Sequence, residues 1–150
     1  MIIEKVITPE RILCDAQGAS KKKVLELIAE SISEQVPAIN GKDLFNSFVC
    51  REKLGTTGLG DGIALPHCRS KACQEPTGFM VRLAEPVNYD AVDKQPVDLL
   101  FALVVPEEST QEHLNILQAL AERFHSSELL ASLRSATTPQ QLFELITAPV

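Results

Sequence analysis

The chain predicts an α/β domain, with helices first, a central sheet, and helices again. Three observations predict it. Two stretches in the first third carry apolar residues at helical spacing. The run at 97–105 is almost continuously apolar, which suits a strand buried on both faces by helices. Two Ser/Thr-x-x-Glu/Gln starts, at 109–112 and 138–141, open further helices downstream. At 150 residues the sequence fits one domain over 1–150, large enough for a real hydrophobic core.

Taken in order, Thr8-Pro9 opens a short helix, because Thr can cap and Pro suits the first helical position. Ser20 precedes KKKVLELIAESISEQV, where Leu25, Ile28, Ala29, Ile32 and Val36 share a face before Pro37 stops the run. Lys21, Lys22 and Lys23 read as its solvated first turn. Asn40-Gly41 marks a turn. KDLFNSFVCREKL follows, with Leu44, Phe45, Phe48 and Val49 on one stripe and Arg51 and Glu52 near its end. Phe79, Val81 and Leu83 alternate as one face of a strand. Residues 88–90 and 93–94 look like loop or turn, and 97–105 is the best strand, ended by Pro106. Ser109-Thr110-Gln111-Glu112 is a capping box for a helix whose apolar stripe runs Leu114, Leu117, Leu120 or Ala121, and Phe124. SSELLASLRS gives a shorter helix capped by Ser126 or Ser127. Thr138-Pro139-Gln140-Gln141 opens the last, LFELI.

Composition excludes several classes. Apolar residues at 45% and charged residues at 23% are ordinary globular values. The formal net charge is −6, and no basic cluster exceeds the lysine triplet, which argues against a nucleic-acid surface. MIIEKVITPERIL lacks the apolar core and cleavage site of a signal peptide, and no apolar run approaches a membrane span. A cytoplasmic protein, not embedded in a membrane, is expected. Cys14, Cys50, Cys68 and Cys73 fit that compartment and are too few for a disulfide framework.

The chemistry concentrates at 55–69, GTTGLGDGIALPHCR. Four of the seven glycines stand just upstream of His67. Glycine allows positive φ, so successive N–H groups can converge into an anion-binding nest. A dinucleotide fingerprint fails on spacing, since Gly58-x-Gly60-x-Gly62 follows a helix-like segment, and a Walker loop fails for want of Gly-Lys-Ser/Thr. A structural hairpin or wide loop is the plainer alternative. Pro66 biases Leu65 toward extended backbone, so 63–65 is expected as a short buried strand delivering the imidazole at its end. A neutral imidazole beside N–H donors is suited to accept a phosphoryl group.

Two more residues suit such a site. Arg51 could grip phosphoryl oxygens in bidentate fashion, the alternative being an exposed helix-end arginine. His113, in the first turn behind the Ser109 cap, stands where a helix N-terminus disfavours imidazolium and favours a nearby phosphate; a surface histidine is the alternative. His125 carries no comparable argument and reads as surface.

The run RE-x-x-G-T-T-G-L-G-D-G-I-A-L-P-H, from Arg51 to His67, resembles the enzyme IIA domains of the fructose/mannitol class in the bacterial phosphotransferase system. The likeness continues through VDLLFALVVPEESTQEHLNILQAL and covers nearly the whole chain. As a free-standing domain it looks most like the nitrogen-regulatory enzymes IIA. Leu65, where isoleucine is frequent, and Cys68, where a small residue is usual, depart without removing a group the chemistry needs. The resemblance implies one α/β domain with a central mixed sheet flanked by helices. It implies phosphorylation of His67, contact of Arg51 with the phosphoryl group, and a role for His113 as second active-site histidine. Thr56 and Thr57, with the backbone of Gly58, Gly60 and Gly62, would line the phosphoryl site. No metal and no cofactor are implied, because the leaving group is a neutral imidazole nitrogen. The implied partners are an HPr-like phosphocarrier as donor and regulated target proteins, in potassium transport or a sensor kinase.

Three other readings bear on the same residues. A sugar-specific enzyme IIA would pass the group to a separate enzyme IIB. A non-catalytic interaction module would leave His67 idle. Zinc ligation would use His67 with Cys68-x4-Cys73, but it lacks a convincing fourth ligand and gives the glycines no role.

Overall fold

The computed structural model describes residues 2–109 and 111–149. Thr8-Pro9 opens only a 3-10 turn, Pro9–Arg11, in which Thr8 makes no side-chain cap. The chain passes directly into a strand that the sequence pattern does not reveal, β1 (Ile12–Ala16). Helix α1 (Lys21–Gln35) starts where Ser20 Oγ accepts from the Lys23 N–H, and it buries Leu25, Ile28, Ala29 and Ile32 as expected. Lys21 departs from the solvated triplet and pairs with Glu52 at 2.9 Å. Asn40 proves to be a cap rather than a free turn. Its side chain accepts from the Asp43 N–H and starts α2 (Gly41–Lys53), which buries Leu44 and Phe48 and ends just past Arg51 and Glu52.

The glycine segment folds as a hairpin of two short strands, β2 (Gly58–Gly60) and β3 (Ile63–Ala64). Strand β4 (His67–Ser70) follows two residues later. β5 (Thr77–Val87) is longer than the expected strand, and β6 (Val97–Pro106) matches it closely. Three helices complete the chain: α3 (Gln111–Phe124), α4 (Ser127–Ser135) and α5 (Pro139–Thr147). Ser126 and Thr138 cap the last two through the N–H groups of Leu129 and Gln141. The capping box expected at 109–112 includes Thr110, which lies outside the described residues.

The six strands form one mixed sheet in the order β1-β5-β6-β3-β2, with β4 also paired to β6. β1 runs parallel to β5, β5 antiparallel to β6, and β3 and β4 both parallel to β6. β6 alternates cleanly between two cores. Leu100, Ala102 and Val104 face α1 and α2, while Leu99, Phe101, Leu103 and Val105 face α3, α4 and α5. This is why its sequence is apolar at every step from Leu99 to Val105, as for any strand covered on both sides.

The expected stripe of α3 holds at Leu120 and Phe124 but is displaced by one residue in its first half, to His113 and Ile116 in place of Leu114 and Leu117. The helix buries His113, Ile116, Leu120 and Phe124, and Leu114 is left 59% exposed. Both stripes fit a 3.6-residue period, so the choice comes from docking on β6, and it turns His113 inward.

Candidate functional site

β3 and β4 are one strand interrupted at Leu65-Pro66. Ile63 and Ala64 pair with Leu99 and Leu100, and His67 to Ser70 pair with Leu103 to Pro106. At the break the Leu65 N–H turns to the Thr57 carbonyl (3.0 Å), while the Pro66 carbonyl takes the Leu103 N–H (2.9 Å). Proline has no N–H to offer a ladder. His67 therefore opens a strand rather than ending one, because β6 offers a partner along this whole length. β2 pairs with β3 and not with β4, which leaves β4 at the sheet's edge.

His67 is half-buried, and its Nδ1 lies 2.6 Å from the Leu65 carbonyl. A carbonyl only accepts, so Nδ1 carries the proton and Nε2 carries the lone pair. Burial holds the His67 pKa below its ordinary value, helped by the Arg51 guanidinium and opposed by the Leu65 hydrogen bond. The ring of His113 meets it edge-on, with centroids 5.4 Å apart. His113 is buried, and both its ring nitrogens lack a hydrogen-bond partner among the described residues. Burial also lowers its pKa, as do His67, Arg69 and Arg51. An orphaned buried polar atom costs about 1–3 kcal/mol, and in the neutral ring one of these two nitrogens carries an N–H that is free to donate.

Both rings stand in a cleft of about 660 Å³ at this edge. α2 supplies Asn46, Ser47, Cys50 and Arg51 and its C-cap Leu54, β4 supplies Cys68 and Arg69 beside His67, and α3 supplies His113. Sequence reasoning missed Asn46, Ser47, Cys50, Leu54 and Arg69, although the signal was present. Residues 46, 50 and 54, like 47 and 51, recur every four residues along one side of α2, and Arg69 follows His67 by two on the same strand face. Arg51 Nη1 donates to the Gly55 carbonyl at 2.9 Å. A guanidinium has five N–H groups, so donors remain for an anion. Arg51 and Arg69 make this cleft locally cationic on a chain of net charge −6.

The remaining sequence candidates lie elsewhere. Gly58, Gly60 and Gly62 are not among the residues lining the cleft. A Cβ on Gly58 would fall 2.8 Å from Ala91 Cα, and one on Gly62, at φ +80°, would fall 2.4 Å from Arg134 Nη2. The small size of Gly58 lets the hairpin pack on the connection between β5 and β6, and that of Gly62 leaves room for Arg134 of α4. Thr56 Oγ1 accepts from the Gly58 N–H at 3.1 Å, and Thr57 gives both its N–H and its hydroxyl to Glu52. His125 is exposed. Cys68 packs into the core beside α2, where burial pushes its thiol up to about 12. Among the described residues no three His, Cys, Asp or Glu side chains converge as a metal site, and no helix is long and apolar enough to cross a membrane.

A ring-proton NMR titration is expected to place both His67 and His113 midpoints below 6.5, the ordinary histidine value. The folded state favours the neutral rings, and the unfolded chain takes up protons first. Their contribution to stability is whole above about pH 6.5 and is lost as pH falls from there through the folded midpoints. A His67 midpoint above 6.5 would contradict the buried, neutral ring.

Residues 5–148 match the family described as phosphoenolpyruvate-dependent sugar phosphotransferase system, EIIA 2. A nitrogen regulatory protein of Pseudomonas aeruginosa is 44% identical over 144 residues, covering 96% of this chain and 94% of its own length. One of Escherichia coli K12 is 37% identical over 147 residues, covering 97% and 87%. Among solved structures, the nitrogen regulatory protein IIA-Ntr of Neisseria meningitidis superposes with a TM-score of 0.93 at 35% identity, covering 98% of this chain and all of the other.

Proposed function

The chain belongs to the phosphoenolpyruvate-dependent sugar phosphotransferase system EIIA 2 family, and from that membership we propose that it is a regulatory phosphocarrier whose phosphorylated residue is His67. The donor is a small HPr-like phosphocarrier, and the setting is the cytoplasm. The observation that carries the assignment is the hydrogen bond from His67 Nδ1 to the Leu65 carbonyl, which leaves Nε2 as the nucleophile beside the orphaned nitrogens of His113.

In the transfer, Nε2 attacks the phosphorus of the donor's phosphohistidine in line with the departing imidazole nitrogen. One N–P bond forms as the other breaks, and the proton on Nδ1 stays in place. The Leu65 carbonyl stabilises the positive charge that the ring takes on. Arg51 and the N–H of His113 hold the phosphoryl oxygens, and positioning and charge stabilisation dominate such transfers.

Phosphorylation then adds about −1.5 to −2 charges to a cationic cleft. A partner docked over His67 in one state is repelled or released in the other. Nitrogen- and potassium-linked regulation is the proposed output, with a potassium-transport component or a sensor kinase as target. The names of the relatives at 44% and 37% identity support the regulatory side of this reading.

The test is the intact mass after incubation with enzyme I, an HPr-like carrier and phosphoenolpyruvate. One acid-labile phosphoryl adduct is expected. Its absence with every cognate carrier would overturn the reading, and onward transfer to a fructose/mannitol-type enzyme IIB would move it to sugar uptake.

A further inference from the structure

Glu52 is a carboxylate with only 7% of its side chain exposed, next in sequence to Arg51. Burying a carboxylate is costly unless it is paired and hydrogen-bonded, and Glu52 is both. Lys21 Nζ lies 2.9 Å from Oε1, the Thr57 N–H donates to Oε1 at 3.0 Å, and the Thr57 hydroxyl donates to Oε2. With that hydroxyl proton committed, Thr57 Oγ1 accepts from the hydroxyl of fully buried Tyr89 at 3.1 Å. The carboxylate thus gathers α1, the end of α2, the start of the hairpin and the connection between β5 and β6.

Two peptide groups carry this arrangement to the imidazole. The Thr57 carbonyl accepts from the Leu65 N–H at 3.0 Å, and the Leu65 carbonyl accepts from His67 Nδ1 at 2.6 Å. In the other direction, the Glu52 carbonyl accepts from the Gly55 N–H at 3.1 Å, and the Gly55 carbonyl takes the Arg51 guanidinium. The backbone contacts that seat the nucleophile and the cation both run through residues tied to Glu52.

We propose that Glu52 and Thr57 are the positioning residues of this site: they hold the contact between Thr57 and Leu65 that keeps His67 in its Nδ1–H tautomer, so that Nε2 is the atom presented for transfer. The proposal rests on the phosphoryl-acceptor reading above for its consequence, though not for its geometry. Thr57 acts through the imidazole and its seat rather than by touching the phosphoryl group.

A purely structural staple would change the unfolding midpoint and leave the tautomer alone, so the tautomer is the discriminating readout. The full chain is labelled with ¹⁵N-histidine and compared with Glu52→Gln, Thr57→Val and Thr57→Ser. The wild type is expected to show one neutral His67 form with the proton on Nδ1. Glu52→Gln removes the charge that Lys21 pairs with and sets its NH₂ group either against Lys21 and the Thr57 N–H or against the Thr57 hydroxyl, and Thr57→Val removes the hydroxyl alone. Both are expected to give mixed tautomers and a rate constant for phosphoryl acceptance lower by about tenfold or more. Thr57→Ser, which restores the hydroxyl, should recover both. Wild-type tautomer and rate in the folded Glu52→Gln and Thr57→Val proteins would overturn the proposal, and Thr57→Val decides it if Glu52→Gln does not fold. If the wild type accepts no phosphoryl group, the functional reading falls and the tautomer alone decides the relay.

Discussion

Alanine at position 67 is expected to remove phosphoryl acceptance altogether while the fold survives. Intact mass after the enzyme I and phosphocarrier reaction should show no adduct on His67→Ala under conditions that fully label the wild type. His113 is not expected to substitute, because neither of its ring nitrogens has a hydrogen-bond partner among the described residues to fix a tautomer as the Leu65 carbonyl fixes that of His67. The structural loss is one side-chain hydrogen bond to Leu65 and a half-buried ring, on the order of 1 kcal/mol. Far-ultraviolet circular dichroism and the urea midpoint should therefore change little. A wild-type labelling rate in this variant would falsify His67 as the acceptor.

Arg51→Ala is expected to slow acceptance by about 10²–10³-fold, the usual consequence of losing one preorganised donor to developing charge, or about 2.7–4 kcal/mol of barrier. Its effect on stability is set by smaller quantities. Arg51 lies in the last turn of α2, where a cation interacts with the helix dipole for about 0.3–1 kcal/mol, and it makes one contact to Gly55. The kinetic loss should exceed the stability loss several-fold on the same energy scale. Arg51→Lys should fall between the two proteins, since an ammonium keeps the charge without the planar fork. Rapid-quench transfer from a phosphorylated carrier measures the ratio, and a loss below about threefold would remove Arg51 from the phosphoryl contact.

Wherever local chemistry decides, the sequence was readable. Ser20, Ser126 and Thr138 cap the helices they were expected to cap, and β6 is apolar from Leu99 to Val105 because both its faces are covered. β1 was illegible because it is five residues long, with half-buried positions and Asp15 at φ +56°, and it is a strand only because β5 lies alongside it. β4 carries an exposed Arg69 and a polar Ser70, and takes its extended form from β6. Neither partner can be inferred from neighbouring residues.

The site divides in the same way. Arg51, His67 and His113 were each singled out by position within an element, and the structure brings all three to one cleft. The glycines were legible as a nest or a hairpin, but the groups that crowd Gly58 and Gly62, Ala91 and Arg134, are far away in the chain. Tyr89, 32 residues from Thr57, could not be connected to it from sequence. The inward turn of His113 depended on which of two equally periodic stripes of α3 met the sheet.

The attachment of β4 to β6 also governs how a mark on this residue can be communicated. Strands that close a buried sheet open only when the whole domain does, whereas loops and termini open locally at far lower cost. His67 has its own backbone between these cases, in a strand at the sheet's edge that is paired across to Leu103 on the central one. A phosphoryl group placed there rides on a hydrogen-bonded strand rather than on a loop. Under the proposed function, the protein would report its state as a badge does, by what is displayed on its surface, and the adjustment would be left to whatever reads it.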